Sequence, residues 1–189
     1  MHKVLQTICE GLGLGTGGLV ALLILTMVIS AVMGWIYEML FYRIDSGGIW
    51  VKRGHGIGPW LPIYGFGGLL MLLACWGMRD NPLLVIVTSG TLAFVLEFGT
   101  GYILYHCFNG LRLWDYNVEI WNWGNIGGYV CLRSILLFAI AGLALVSLVV
   151  PLIAQVIQLM GEQAALIAAA IVGVVYAADI IRGYLVKGL

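Results

Sequence analysis

Three ionisable side chains lie within strongly apolar parts of this sequence: Glu38, Glu97 and Arg133. A charged group in hydrocarbon costs roughly 3 kcal/mol or more unless it is paired, protonated or in contact with water, so such residues indicate a functional site. A buried carboxylate can act as a general base, and an arginine can bind an anionic group. Glu38 and Glu97 are therefore the candidate catalytic residues. We predict that Arg133 pairs with one of them, while pairing with Arg43 near the membrane surface is the alternative for Glu38.

Two stretches rich in aromatic residues and turn formers accompany these charges. Residues 53–67 contain five glycines and two prolines and begin with Arg53 and His55. Residues 107–126 form the second stretch, and its last fourteen residues contain three tryptophans, three asparagines and two acids. We predict that both are folded loops at the mouth of a site, with tryptophan anchoring at a membrane surface as the alternative for the second. The candidate binding residues are Glu38, Arg53, His55, Tyr64, Glu97, Trp114, Asp115, Asn122 and Arg133.

The composition indicates the class of protein that must position these residues. Hydrophobic residues make up 62% of the 189 residues, charged residues 10%, and the mean hydropathy is +1.04. A soluble domain carries roughly 25% charged residues, so this chain cannot cover a water-facing surface and its expected partner is the lipid bilayer. The formal net charge is zero and no basic block occurs, which excludes nucleic acid as a partner.

Other patterns that suggest a cofactor have simpler interpretations. The four cysteines form no C-x-x-C pair and lie in or beside apolar segments, so we predict buried thiols and no metal site. Gly13 to Gly18 match the dinucleotide pattern G-x-G-x-x-G, but they open an apolar helix, where small residues favour close helix packing. No cofactor is predicted.

Apolar run lengths predict an all-α polytopic membrane protein with a single transmembrane domain over residues 1–189. Residues 1–16 form a short lead-in, and residues 151–162 a short interfacial helix or turn. Pro82 suits the first position of a helix. Asp179 and Arg182 are spaced to pair on one helix face. The five predicted transmembrane helices cover about residues 17–42, 61–78, 82–106, 128–150 and 163–185.

The placement of lysine and arginine predicts the orientation. With five spans and the N-terminus outside, one side holds only Lys3 and Arg79. The cytoplasmic side then holds Arg43, Lys52, Arg53, Arg112, Arg182 and Lys187, with Arg133 near it. Both elaborate loops and the C-terminus therefore lie on the cytoplasmic side.

A weak internal repeat agrees with this arrangement. The first span, its loop and the second span resemble the third span, its loop and the fourth. In each half the first helix carries a carboxylate towards its inner end, Glu38 or Glu97, and the loop leads into the next helix through Ile-Gly, at 57–58 or 126–127. Parallel repeats of this kind occur in transporters.

Several motifs resemble those of one family when they are taken in order. They are Gly34-Trp-Ile-Tyr-Glu38, Arg53-Gly with Gly58-Pro-x-x-Pro-Ile-Tyr-Gly-Phe-Gly67, Leu96-Glu-Phe98, Leu113-Trp-Asp-Tyr-Asn117 and Asn122-x-Gly-x-Ile126. Together they resemble the bacterial family named putative ABC-transporter permease, type IV, over about residues 30–140. Lys52 and Leu61 depart from the family pattern, which has Asn and Cys there.

The resemblance implies a substrate-translocating subunit of the bacterial cytoplasmic (inner) membrane, served by a separate ATPase subunit. Because the sequence contains no G-x-x-x-x-G-K-[ST], ATP use would need that partner. Five spans are few for a lone permease, so the resemblance also implies a homo-oligomer or an accessory subunit.

Three functions remain open at this point. The first is transport through a polar pocket that contains Glu38, Glu97 and Arg133, is open to the cytoplasm and is covered by residues 53–67 and 113–126. The second is an intramembrane enzyme that acts on a lipid or lipid-linked substrate at the inner leaflet, with Glu97 or Glu38 as general base. The third is a non-catalytic binding or regulatory membrane subunit whose charges are structural.

Overall fold

The computed structural model describes residues 1–54 and 56–187, and the chain is helical throughout most of this range. An isolated bridge between Ile126 and Val130 is the one β-type pairing among these residues. A 3-10 turn (Trp76–Met78) extends α3, and a π-helical segment (Leu145–Val149) separates α5 from α6. The helices are α1 (His2–Leu12), α2 (Thr16–Asp45), α3 (Pro62–Cys75), α4 (Pro82–Cys107), α5 (Leu132–Ala144), α6 (Val150–Met160) and α7 (Glu162–Lys187).

Within the described residues, four helical stretches are long and apolar enough to cross a membrane: Thr16–Asp45, Pro82–Cys107, Leu132–Met160 and Glu162–Gly183. The predicted second span corresponds to a shorter apolar helix, Pro62–Met78. At 1.5 Å per residue that helix is about 25 Å long, a little less than the roughly 30 Å hydrocarbon core. The prediction of an all-helical membrane protein is confirmed, and the count of five spans stays a prediction.

The predicted short helix at residues 151–162 is present, but it continues directly from the preceding helical segments. Residues 150–160 are helical, as α6, and follow the π-helical segment directly. Pro151 lies in the first turn of α6, where a missing N–H is tolerated, and the wider π turn before it relieves the clash of the proline ring. The helix ends at Gly161, whose φ is 80°. The predicted lead-in also contains a helix, α1, with Ile8 fully buried.

The chain divides into two compact units. Unit 1 comprises Met1–Gly77 and Leu145–Leu189, and unit 2 comprises Met78–Ala144. In unit 1, α2 packs against α3, α6 and α7, and in unit 2, α4 packs against α5.

Small residues allow α3 to approach α2 closely in unit 1. A Cβ on Gly34 would overlap the Tyr64 ring, and one on Gly68 would overlap Ser30. A Cβ on Gly65 would lie 2.8 Å from the backbone oxygen of Met27. Close backbone approach at small residues is a common packing mode of membrane helices.

The start of α2 is hydrogen-bonded to residues at the junction of α6 and α7. The Glu162 carboxylate accepts hydrogen bonds from the N–H groups of Gly15 at 2.5 Å and Gly18 at 3.0 Å. The Gln158 side chain donates to the Leu12 carbonyl at 2.7 Å. These contacts satisfy backbone groups that a helix end leaves without partners. The glycines of the G-x-G-x-x-G pattern therefore serve packing and capping.

In unit 2, α4 begins where the sequence predicts. Pro82 occupies its first turn, and the Asn81 side chain accepts a hydrogen bond from the Leu84 N–H at 3.3 Å. Both features are typical helix starts.

Two glycines of α3 give a matched test of the close packing. We expect Gly65→Ala to lower the free energy of unfolding by about 1–3 kcal/mol, because the backbone oxygen of Met27 cannot move aside. Gly67→Ala is the control, since nothing lies within 4 Å of its Cβ position. There we expect no loss, or a gain of roughly 0.5–1 kcal/mol from higher helix propensity. Titration with sodium dodecyl sulfate in mixed micelles measures both, and equal effects would contradict the packing.

Candidate functional site

The α2–α3 loop (residues 46–61) places Arg53 against Glu38 in unit 1. The Arg53 Nε atom lies 2.5 Å from Glu38 Oε2, and the Tyr64 hydroxyl donates to Oε1 at 3.0 Å. The Arg53 guanidinium also stacks over the Tyr42 ring at 3.9 Å. Burial alone would lower the pKa of Arg53, but the adjacent Glu38 carboxylate outweighs it and raises the pKa. Arg53 therefore stays a cation, and Glu38 has a permanent counter-charge.

The same loop is held by an acid on α7. Asp179 accepts hydrogen bonds from the backbone N–H groups of Ile57, at 2.9 and 3.0 Å to its two oxygens, and of Gly58, at 2.9 Å. The Trp60 indole N–H donates to Asp179 at 2.8 Å. A Cβ at position 56 would overlap this carboxylate, so Gly56 is needed for the approach. Three donors on one carboxylate fix the path of the loop.

These contacts correct the prediction for Asp179. The sequence spacing suggested an ion pair with Arg182, but the described contacts of the Asp179 carboxylate are with the loop. Arg182 acts on it only through longer-range electrostatics. The physical reason is that Ile57 and Gly58 lie outside a helix, and their N–H groups need an acceptor.

Glu97 lies on α4 in unit 2 and is 9% exposed. The Tyr116 hydroxyl donates to its Oε1 at 2.7 Å, and the Ser134 hydroxyl lies 2.6 Å from its Oε2. Burial, and then the neighbouring Glu97, raise the pKa of Tyr116, so this phenol stays neutral and acts as a donor. Glu97 is thus surrounded by hydroxyl groups from the following loop and helix.

Arg133 has a different carboxylate partner from either of those predicted. Its guanidinium lies 2.7 Å from Glu119 Oε2 and donates to the Ile120 carbonyl at 2.9 Å. Only 13% of the Arg133 side chain and 5% of the Glu119 side chain is exposed, so the pair is almost fully desolvated. Glu119 lies in the α4–α5 loop (residues 108–131), and the loop folds back to bring it to the first turn of α5. The expectation that Arg133 pairs directly with Glu97 or Glu38 is therefore corrected.

Polar side chains hold the α4–α5 loop in a compact shape. Asp115 accepts from Arg112 at 3.3 Å and from the side chain of Asn117 at 2.8 Å. Arg112 also donates to the Gly127 carbonyl at 3.1 Å. Asn125 donates to Asn117 at 2.9 Å. This network links the two ends of the loop.

The loop tryptophan and asparagine that were predicted to bind a ligand make similar internal bonds. The Trp114 indole donates to the Tyr129 carbonyl at 2.8 Å, and Asn122 donates to the Tyr116 carbonyl at 2.8 Å. Tyr129 also packs edge-on against Phe98 of α4, with ring centroids 5.7 Å apart. The loop is thus attached to α4 and positions Tyr116 over Glu97.

The two units repeat one local arrangement. In each, a carboxyl group on the first helix is hydrogen-bonded to the hydroxyl of the third residue of the following helix: Glu38 to Tyr64 of α3, and Glu97 to Ser134 of α5. In each, a residue of the intervening loop also contacts the carboxyl group: Arg53 in unit 1 and Tyr116 in unit 2. This correspondence supports the internal repeat predicted from the sequence.

The structure brings together several of the residues predicted from sequence. Unit 1 joins Glu38, Arg53 and Tyr64, while unit 2 contains the remaining candidates except His55, which lies outside the described residues. Sequence reasoning missed Asp179 as a loop anchor, Tyr116 and Ser134 as partners of Glu97, and Glu119 as the partner of Arg133. Tyr116 lies within the motif Leu113-Trp-Asp-Tyr-Asn117, and Ser134 directly follows Arg133. No local signal marks the long-range role of Asp179.

The described residues contain no group of three or more His, Cys, Asp or Glu side chains that could hold a metal ion. A surface groove of about 330 Å³ runs between α4 and α5 in unit 2 and is almost wholly apolar. Its lining residues are Ile86, Val87, Gly90, Thr91, Phe94, Ile135, Leu136 and Ala139.

An all-helical chain with four span-length apolar helices and carboxylates satisfied inside them is an integral membrane protein. The model of the family described as putative ABC-transporter type IV matches residues 25–183, so the chain belongs to that family. This confirms the resemblance seen in the motifs and makes the chain a transport-related membrane protein. No curated protein and no solved structure matches it significantly.

Removal of the Asp179 carboxylate on α7 tests the anchoring of the α2–α3 loop. We expect Asp179→Ala to reduce hydrogen-exchange protection at Ile57 and Gly58 by roughly tenfold or more, because each charge-assisted hydrogen bond contributes about 1.5–3 kcal/mol. Asp80→Ala removes an exposed acid and is the control. Unchanged protection at both amides in Asp179→Ala would disprove the anchoring role.

The Arg133–Glu119 pair gives a second test, with a more exposed pair of the same unit as control. Glu119→Ala leaves the buried Arg133 without its carboxylate, so we expect a loss of about 3–5 kcal/mol in unfolding free energy. Asp115→Ala removes the partner of Arg112 in a pair that is 23% and 31% exposed, and there the ion pair itself contributes about 0–1 kcal/mol. A double-mutant cycle with Arg133→Ala should show strong coupling. Additive effects would argue against the pair.

Proposed function

We propose that the chain is a permease-like, substrate-translocating subunit that works with a separate ATPase. The observation that carries this proposal is the family match over residues 25–183. The sequence contains no G-x-x-x-x-G-K-[ST], so ATP would be hydrolysed by another polypeptide. A homo-oligomer or an accessory role beside other membrane subunits fits the small number of spans.

The proposed topology is a single transmembrane domain with five spans in the bacterial cytoplasmic membrane. Four spans are the long apolar helices, and α3 with its 3-10 extension is the fifth. A helix slightly shorter than the hydrocarbon core can span by local thinning of the bilayer. The excess of lysine and arginine in the α2–α3 loop, the α4–α5 loop and the C-terminal region supports a cytoplasmic location for all three.

The proposed substrate route is lined by the polar clusters at these loops. Glu38 with Arg53 and Tyr64 in unit 1, and Glu97 with Arg133 in unit 2, offer both charge signs and hydroxyl groups within an apolar chain. Ionisable groups within membrane helices are typical of substrate and ion pathways. Access would be from the cytoplasmic side.

Site-specific photo-crosslinking in intact cells tests this proposal. A photoreactive residue is placed at Lys52 in the α2–α3 loop, at Val118 in the α4–α5 loop, or at Asp80 in the α3–α4 turn, all of which are exposed. We expect positions 52 and 118 to crosslink a polypeptide that contains G-x-x-x-x-G-K-[ST], identified by peptide sequencing. Position 80, on the opposite side by the proposed topology, is the control.

The possible outcomes separate the alternatives. Crosslinks to the ATPase from position 80 alone would reverse the proposed orientation. If no position yields an ATPase while lipid adducts form at 52 and 118, a lipid-directed enzyme replaces transport as the preferred function. Adducts only with membrane proteins that lack an ATP-binding motif would favour a regulatory subunit.

A further inference from the structure

The oxygen atoms around Glu97 make one more contact of hydrogen-bonding length than there are hydroxyl protons. Tyr116 Oη is 2.7 Å from Glu97 Oε1, and Ser134 Oγ is 2.6 Å from Glu97 Oε2. Ser134 Oγ is also 2.8 Å from the Cys131 carbonyl oxygen. Three oxygen–oxygen contacts of hydrogen-bonding length therefore need three protons.

The hydroxyl groups supply only two of these protons. Tyr116 provides one, to Oε1, and Ser134 provides one, which can reach either Glu97 or the Cys131 carbonyl. With an ionised carboxylate, Glu97 and the Cys131 carbonyl would have to share the single Ser134 proton in a weaker three-centre hydrogen bond. With a protonated carboxyl, Glu97 donates to Ser134, Ser134 donates to the Cys131 carbonyl, and Tyr116 donates to Glu97. All three contacts are then satisfied.

The burial of Glu97 favours the same conclusion. Of the two neighbouring charges, Glu119 favours the neutral carboxyl group and Arg133 favours the ionised one, and the Arg133 guanidinium contacts Glu119 and the Ile120 carbonyl. The described contacts of the Glu97 carboxyl group are with hydroxyl groups, whereas Glu38 contacts the Arg53 cation. Ionisation of a carboxyl group that is 9% exposed and held by neutral hydroxyl groups would carry a large desolvation cost.

We infer that Glu97, Ser134 and Tyr116 form a proton-binding site in which Glu97 holds the proton in this conformation. Loss of the proton would leave the Ser134 hydroxyl between two acceptors and place a bare charge beneath Tyr116. Because the α4–α5 loop carries Tyr116, this loop is in direct contact with the group that would release the proton. The site does not depend on an ATPase partner and goes beyond the proposed transport function.

Infrared difference spectroscopy of the purified chain in lipid tests the site. At neutral pH the wild-type chain should show a C=O band of a protonated carboxyl group, shifted in D2O. We expect Glu97→Gln to lose that band, and Ser134→Ala to move it to higher frequency because the hydroxyl acceptor is gone. Glu38→Gln is the matched control and should retain the band, since Glu38 is ion-paired with Arg53.

Glu97→Gln is expected to fold because its amide can donate to Ser134 while its carbonyl accepts from Tyr116. The variant also gives a second readout. A folded state that holds an extra proton loses stability as the pH rises, so the melting temperature of the wild-type chain should fall relative to Glu97→Gln above neutral pH. The proposal is overturned if the wild-type minus Glu97→Gln spectrum contains only ionised carboxylate bands, or if the two melting temperatures change in parallel.

Discussion

The structure depends on giving each carboxylate in an apolar chain a set of donors. Glu38, Glu97, Glu162 and Asp179 all lie on helices of span length, and each carboxyl group makes at least two hydrogen bonds or ionic contacts. The donors come mainly from segments outside helices or from helix ends. Unpaired charges and unsatisfied backbone groups are both costly in hydrocarbon. A carboxylate that accepts hydrogen bonds from backbone N–H groups removes both costs.

This pairing explains why α7 has an acid near each end. Glu162 binds the N–H groups at the start of α2, and Asp179 binds the α2–α3 loop that leads into α3. The two contacts join α7 to the beginning of α2 and to the loop that follows the end of α2. The α2–α3 loop is consequently a fixed part of unit 1, and its tryptophan packs edge-on against Tyr176 of α7 at 5.6 Å.

The sequence predicted features that depend on composition and local chemistry. Hydropathy and residue type alone predict the helical membrane class and the start of α4 at Pro82. They also identify Glu97 as an isolated charge in an apolar run. Partners of charged groups were harder to predict, because they depend on folding of distant segments. Asp179 and Ile57 are 122 residues apart, and helical spacing suggested Arg182 instead. Arg133 likewise pairs through a loop whose fold rests on a network of asparagine, aspartate and arginine side chains.

The two repeated arrangements differ in the partners of the carboxyl group, and this difference determines whether the cluster can exchange a proton. Glu38 is paired with an arginine that keeps its charge. Glu97 occupies the corresponding place but is bound by a phenol and a serine hydroxyl, neither of which carries charge. Only the second cluster can exchange a proton without breaking an ion pair. If conformational change in this chain responds to protons, it therefore begins at Glu97 and is transmitted by Tyr116 to the α4–α5 loop.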